Sequence, residues 1–363
     1  MMETLFVEKN DFQQYLPVNA SLELKLIQSH LWQAQQLHLL PILGNKLLNL
    51  LLLANDEVAY QAAFEAIIAQ NTAITDENNS NPEATPIPLI PLIPTHAQML
   101  LLMPYAKLPL AHLGFERYIP IAQLDISSSG IRLNVSEGKK TAFGWQINDL
   151  EKSCRASGFL GLETSLQFLY ENKEVYNWHQ SEAYLQARQC FVSSAAELQT
   201  FFALNIVYPR LTYLKIAGIM LRTEQRIKQV TCIPLFAEIK QQHLQGNISP
   251  ENAALLEYIK PAIALLAMSR ALLESSVTLD DTGISLFNNN NSQTVKVQQP
   301  AELERLDSVK KELEQEGESY LTQLDNFLQK NAETYPLYKD SPCFADRQTL
   351  RFEQDPTKHV HLF

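Results

Sequence analysis

Residues that carry chemistry are scarce in this sequence, and useful spacings between them are scarcer. The four cysteines, Cys154, Cys190, Cys232 and Cys343, stand far apart, and no C-x-x-C occurs. That excludes a zinc ribbon or a thioredoxin-like redox pair and predicts reduced, structural thiols in a cytosolic setting. No G-x-x-x-x-G-K-[ST] is present, and Gly158 and Gly161 do not follow a strand in a G-x-G-x-x-G pattern, so nucleotide binding is not indicated. There is no G-x-S-x-G elbow for an activated serine. His359 and His361 form a lone H-x-H pair with no third ligand indicated, so no metal and no cofactor is expected.

Positive charge is in short supply as well. Lys and Arg total 29 against 40 Asp and Glu, for a net charge of −11. A groove that grips phosphates needs clustered Lys and Arg, so specific nucleic-acid binding is not expected. An acidic lumen through which DNA slides is compatible with this balance. Long clean apolar runs are missing too. Pro41, Gly44 and Lys46 interrupt residues 37–53, and Pro104, Lys107 and Pro109 interrupt residues 98–113. Neither reaches the ~20 residues of a bilayer span, so no membrane partner is expected. Acids near the N-terminus (Glu3, Glu8, Asp11) stand where a signal peptide would carry bases.

What the chain does contain is one stretch used twice. Residues 105–133 align without a gap on residues 258–286, with 8 identities in 29 positions: Tyr105, Lys107, Ala111, Leu113, Arg117, Gly130, Ile131 and Leu133 fall on Tyr258, Lys260, Ala264, Leu266, Arg270, Gly283, Ile284 and Leu286. Chance would give roughly two at average residue usage. The stretch reads as an apolar helix, a turn at a glycine, and a short alternating strand pair. The expected fold is therefore mainly α with small β-hairpins, as two tandem copies of one helical domain. Repeat 1 covers 1–188, repeat 2 covers 189–344, and a tail follows at 345–363. At 46% hydrophobic and 19% charged, both copies have the means to bury a core.

Within repeat 1 the pattern predicts a helix over 21–39, a break at Pro41 and Gly44, helices at 45–53 and 56–69, and the core helix at 96–119. Thr141–Trp145 is a candidate third strand. A helical segment at 146–172 carries Gly158 and Gly161 as expected kink points. In repeat 2, Cys232–Phe236 is set against Leu39–Leu43. The core helix 250–273 starts at Ser249-Pro250-Glu251, a cap, a first-turn proline and an acid at the positive dipole end. Glu302, Glu304, Glu312, Glu314, Glu316 and Glu318, interleaved with Arg305, Lys310 and Lys311, read as a solvated helix face.

The copies differ most at an insertion in repeat 1, residues 70–95. It starts polar and acidic and ends in Pro86-Ile87-Pro88-Leu89-Ile90-Pro91-Leu92-Ile93-Pro94. Proline at that density rules out helix and central strand, and the whole insertion is expected to be an exposed loop ending in a polyproline-like arm. One reading is a tolerated surface loop. The other is an arm that docks on a neighbouring subunit, through Pro88, Pro91 and Ile93. The tail 345–363 alternates apolar and polar residues, and Leu350, Phe352, Leu362 and Phe363 are its candidate contacts. Arg117 and Arg270 are the repeated arginine of the apolar helix. They serve either a structural pairing inside each copy or a subunit interface.

Pro41–Gly44, Ile126–Ile131, Lys140–Gln146 and Pro336–Ser341 together resemble an uncharacterised family found in Bacteroidota prophages and phage-like gene clusters. The helical organisation of each copy is similar to small phage head–tail connectors, helix-rich adaptors that stack as a ring beneath the portal. The resemblance implies a non-enzymatic structural protein: a homo-oligomeric ring at the neck of a virion, cytoplasmic during assembly, touching other neck, portal or tail proteins. An alternative is an adaptor or cap of a contractile injection system. A third is an enzyme with a cryptic site, disfavoured because neither repeat supplies a convergent acid, base and nucleophile.

Overall fold

The computed structural model describes residues 3–17, 22–81, 85–122, 124–127, 130–133, 142–202, 206–274, 277–280, 283–286 and 303–344. The tail 345–363, with Leu350, Phe352, Leu362 and Phe363, lies outside them, as do His359 and His361. The chain forms two compact units. Unit 1 runs to Leu185 and includes Val207–Leu211; unit 2 holds Gln186–Ile206 and the described residues from Thr212 onward.

In unit 1 the order is α1 (Lys9–Gln13), α2 (Leu24–Ala34), a π segment (Gln35–Leu39), α3 (Leu40–Leu53), α4 (Glu57–Ser80), α5 (His96–Ala122), β1 (Leu124–Ser127), β2 (Gly130–Leu133), α6 (Gly144–Glu171) and a 3-10 turn (Trp178–Gln180). α7 (Glu182–Gln189) follows. Unit 2 repeats the plan with α8 (Ala195–Gln199), α9 (Pro209–Thr231), α10 (Ile233–Gln245), α11 (Pro250–Glu274), β3 (Val277–Asp280), β4 (Gly283–Leu286), α12 (Leu303–Lys330), a 3-10 turn (Ala332–Thr334) and α13 (Pro336–Lys339). β1 pairs antiparallel with β2, Ile126 opposite Ile131, and β3 with β4, Leu279 opposite Ile284.

Each unit is built on a long antiparallel helix pair, α5–α6 or α11–α12. Gly158 and Gly161 do not kink α6, which is continuous. They let the pair approach: a methyl on Gly158 would lie 2.5 Å from Leu113, and one on Gly161 would lie 3.1 Å from Pro109. Gly317 does the same for Leu266, at 2.7 Å. Pro109 inside α5 carries no N–H for the carbonyl of Tyr105 four residues back. The Ser165 hydroxyl reaches that carbonyl at 2.6 Å from α6, so the proline is carried without breaking the helix.

The repeated residues have repeated surroundings. Tyr105 stacks on Phe168, and Tyr258 packs on Phe327. Tyr176 donates its hydroxyl to the Gln98 carbonyl and Tyr335 to the Glu251 carbonyl, each at 2.8 Å. Lys107 pairs with Asp11 and Lys260 with Glu197, each at 2.5 Å.

Several expectations change. α4 runs to Ser80, so the polar part of the insertion is helix. Asp56 caps its start by accepting from the Ala59 N–H, and the side chains along it are mostly solvated. Thr141 lies outside the described residues, and from Gly144 the candidate third strand is instead the first turn of α6. Pro41 sits at the start of α3 and breaks nothing; the break is Gly44 alone, at φ 77 and ψ 160. The counterpart of Gly44 is Cys232, at φ 66 and ψ 157, not the neighbourhood of Leu39. Cys232 is disulfide-bonded to Cys343, their Cα atoms 6.2 Å apart, so two of the four cysteines are not free thiols. Cys154 and Cys190 are free and buried. The stretch Leu24–Leu53 is long and apolar enough to cross a membrane by length and composition. A third of the apolar window within it is buried, with Ile27, Leu31, Leu39, Leu43, Leu47 and Leu51 among the buried residues of the stretch.

Candidate interaction surface

The proline arm is organised by two asparagines of α4. Asn78 donates to the Ile87 carbonyl at 2.9 Å and accepts from the Ile87 N–H at 2.8 Å. Asn71 treats Ile90 in the same way, at 2.9 and 2.8 Å. A side-chain amide here imitates the peptide group of a neighbouring strand. The spacing explains the match. Seven residues of α-helix rise about 10.5 Å, and three residues of polyproline helix rise about 9.3 Å. Two further bonds fix the C-terminal end. Asn177 donates to the Leu92 carbonyl at 2.7 Å, and buried Tyr60 donates to the Pro94 carbonyl at 2.7 Å. Burial pushes the Tyr60 hydroxyl up to about 12, so it donates at any physiological pH.

A three-residue period sorts the arm into faces. Ile87 and Ile90, whose backbones are clamped, are 41% and 36% exposed, and Ile93, next in the period, is half-buried. Pro88 and Pro91 are exposed, and Leu89 and Leu92 stand 57% and 55% exposed. Leu100 and Leu101 on the first turns of α5 are exposed as well. The arm is therefore an exposed polyproline-like ridge held along its own helix, the helix into which the polar first half of the insertion folds.

Exposed large apolar side chains are unevenly shared. Among the described residues, those of unit 2 are Ile233, Leu244, Leu273 and Leu337; all the others belong to unit 1. They include an aromatic pair at the start of α6, Phe143 at 66% and Trp145 at 50% exposure. Contiguous exposed apolar surface marks interaction sites.

The repeated arginines are both exposed and have different partners. Arg117 donates to the Gln33 side chain at 3.3 Å, and Arg270 to Glu274 at 2.7 Å, where Arg222 joins it at 2.8 Å. Among the described residues, neither arginine bonds to the arm.

The buried charges are accounted for by packing. Burial works to raise Glu197, but the bonds from Lys260 and Ser193 outweigh it and hold the carboxyl below its usual range. Burial pushes Glu224 up, against the pull of Lys240 at 2.6 Å. Glu224 also accepts the Phe191 N–H at 3.1 Å; in unit 1, Gln35 accepts the Leu5 N–H at 3.3 Å in the same role. Among the described residues no group of three or more His, Cys, Asp or Glu is placed to hold a metal. An open groove of about 1060 Å³ beside Phe6, Leu24, Leu52 and Leu53 mixes Glu3, Glu23, Asp56, Lys9 and Lys25 on its walls, with no nucleophile–base pair.

The sequence pointed to Pro88, Pro91 and Ile93 but missed what holds them. Asn71, Asn78, Asn177 and Tyr60 carried no motif; the one available signal was the seven-residue asparagine spacing facing a three-residue isoleucine spacing. Phe143 and Trp145 were hidden in a supposed strand.

A family model described as a family of unknown function, DUF6712, matches residues 39–188 and again residues 227–348. The matches begin 188 positions apart, as Gly44 and Cys232 are, and end 160 apart, as Ser181 and Ser341 are. No curated protein and no solved structure matches the chain.

Proposed function

We propose, from the premise that this chain belongs to the DUF6712 family through both its halves, that it is a structural adaptor of a phage or phage-like particle, assembling as a ring at the head–tail junction. The observation that carries this reading is the pairing of two copies of one helical unit, with most of the exposed large apolar side chains among the described residues falling in one of them. Tandem copies give a single chain two quasi-equivalent building blocks. A ring contact then needs two different patches per subunit, which the exposed surface of unit 1 has room for. The acidic balance suits a lumen that DNA crosses without sticking. The paired, packed carboxylates Glu197 and Glu224 fit a building block and not a catalyst.

Light scattering on the purified chain, followed by negative-stain images with neck and portal partners, tests this. A ring is expected, alone or on the partner. Strictly monomeric particles under both conditions would sink it.

A further inference from the structure

We propose that the Pro–Leu ridge of the arm is one half of a head-to-tail contact whose other half is the Phe143–Trp145 pair of a second copy of this chain. The inference rests on the self-assembly in the proposed function but commits to particular surfaces.

The two patches lie at opposite poles of unit 1. α5 and α6 run antiparallel: Leu113 meets Gly158, Pro109 meets Gly161, and Tyr105 meets Ser165. The arm leads into the N-terminus of α5, whereas Phe143 and Trp145 sit at the N-terminus of α6, beyond the other end of α5. The 27 residues of α5, about 40 Å of helix, run between the end of the arm and the hairpin that precedes the Phe143–Trp145 pair. One copy cannot join its own patches over that length. Joining them between copies makes a heterologous contact, which closes into a ring or runs on as a filament.

The chemistry of the ridge selects its partner. Pro86, Pro88, Pro91 and Pro94 carry no N–H, so the arm cannot act as a strand edge for a pairing chain. Its own helix already takes the Ile87 and Ile90 amides. What remains outward is a rigid row of Pro and Leu with Ile87 and Ile90 also exposed beside it, the apolar surface that polyproline segments present to aromatic rings. Ordering entropy is already spent in holding it, so a partner does not have to fix it again.

Both halves are missing together from repeat 2. The link before α11 is only Gly246–Ser249, between Gln245 and Pro250. In sequence register, the offset that sets Gly317 against Gly158 sets Glu302 and Glu304 against Phe143 and Trp145. A ridge and its aromatic seat that are kept together in one copy and absent together from the other are the two sides of one contact.

The test uses two full-length variants. One carries Leu89→Asp with Leu92→Asp; the other carries Phe143→Glu with Trp145→Glu, the residue type repeat 2 has there. Circular dichroism checks that each remains folded. Sedimentation velocity of wild type is expected to show self-association, with each variant weakened about tenfold or more. An equimolar mixture of the two variants keeps one intact ridge and one intact seat, so it is expected to yield heterodimers and nothing larger. A wild type that stays monomeric at high micromolar concentration, a folded variant that assembles like wild type, or a mixture that stays monomeric would each overturn the contact. A ring that forms regardless of both variants, or only on a portal partner, overturns this contact while leaving the adaptor reading in place.

Discussion

Gly44 and Cys232 occupy one position in the two units and one region of backbone space, φ 77 and ψ 160 against φ 66 and ψ 157. Glycine enters that region freely; a residue with a Cβ is strained there by about 1–3 kcal/mol. A Cβ on Gly44 would lie 3.9 Å from the Ser181 Cβ, and Ser341 donates to the Cys232 sulfur at 3.2 Å. Replacing Gly44 by Ala meets no steric wall, so its cost is backbone strain alone. Chemical denaturation is expected to show a loss of about 1–3 kcal/mol, with an unchanged slope. A neutral Gly44→Ala would refute the shared strained geometry.

The glycine–leucine contacts of the two helix pairs make a matched experiment. Gly158→Ala places a methyl 2.5 Å from Leu113, and Gly317→Ala places one 2.7 Å from Leu266. Each is expected to destabilise by about 1–3 kcal/mol through overpacking. Adding Leu113→Ala to Gly158→Ala should cost less than the sum of the single changes, because the pair share one space. Strict additivity in that double-mutant cycle would show that the helices do not meet there.

Glu224 ties the fold to pH. Burial raises its folded-state pKa above the unfolded value, so the native state keeps a proton that the unfolded chain gives up first. Its contribution to stability therefore falls as pH rises through that window. Lys240 is what makes the ionised form tolerable. Lys240→Met is expected to cost about 3–5 kcal/mol at neutral pH and less on acidification toward the carboxylate range, where Glu224 takes up a proton. Glu224→Gln should rescue Lys240→Met, since Gln35 accepts the equivalent amide in unit 1. A penalty that does not change with pH, measured by urea titration across that range, would contradict this account.

The asparagine clamp holds the arm more than it holds the domain. Asn71 and Asn78 form exposed bonds, so the double alanine variant is expected to shift Tm by no more than about 2–4 °C. Limited proteolysis between residues 81 and 94 should speed up clearly in that variant. An unchanged cleavage rate there would mean that the prolines alone keep the arm in place.

Thiol chemistry separates the cysteines. Burial raises Cys154 and pushes Cys190 up to about 12, so neither is a thiolate at neutral pH. Alkylation followed by intact mass is expected to add nothing to the native protein, two labels after unfolding, and four after unfolding with reduction. Four labels without a reductant would remove the Cys232–Cys343 bond.

Local pattern accounts for what was legible in advance. Apolar residues three and four apart, a Ser-Pro-Glu start and a glycine turn recur in both halves, and each depends on neighbours within a few residues. That is why the duplication and the core helices were readable. Gly158 was misread because a helical glycine means either a bend or a close approach, and only the partner helix distinguishes them. The stretch 70–80 was misread because its polar composition looks like a loop, whereas the isoleucines of the arm lie along the helix it forms.

The sequence by itself determined that this protein is two copies of one helical unit, since periodicity and repetition are properties of order along the chain. Tertiary structure alone decided that the arm is a fixed ridge, that Cys232 meets Cys343, and that the exposed apolar side chains among the described residues fall mostly in unit 1. Those facts depend on groups up to 111 residues apart, and hydrogen bonds and burial across such distances exist only once the chain has closed on itself.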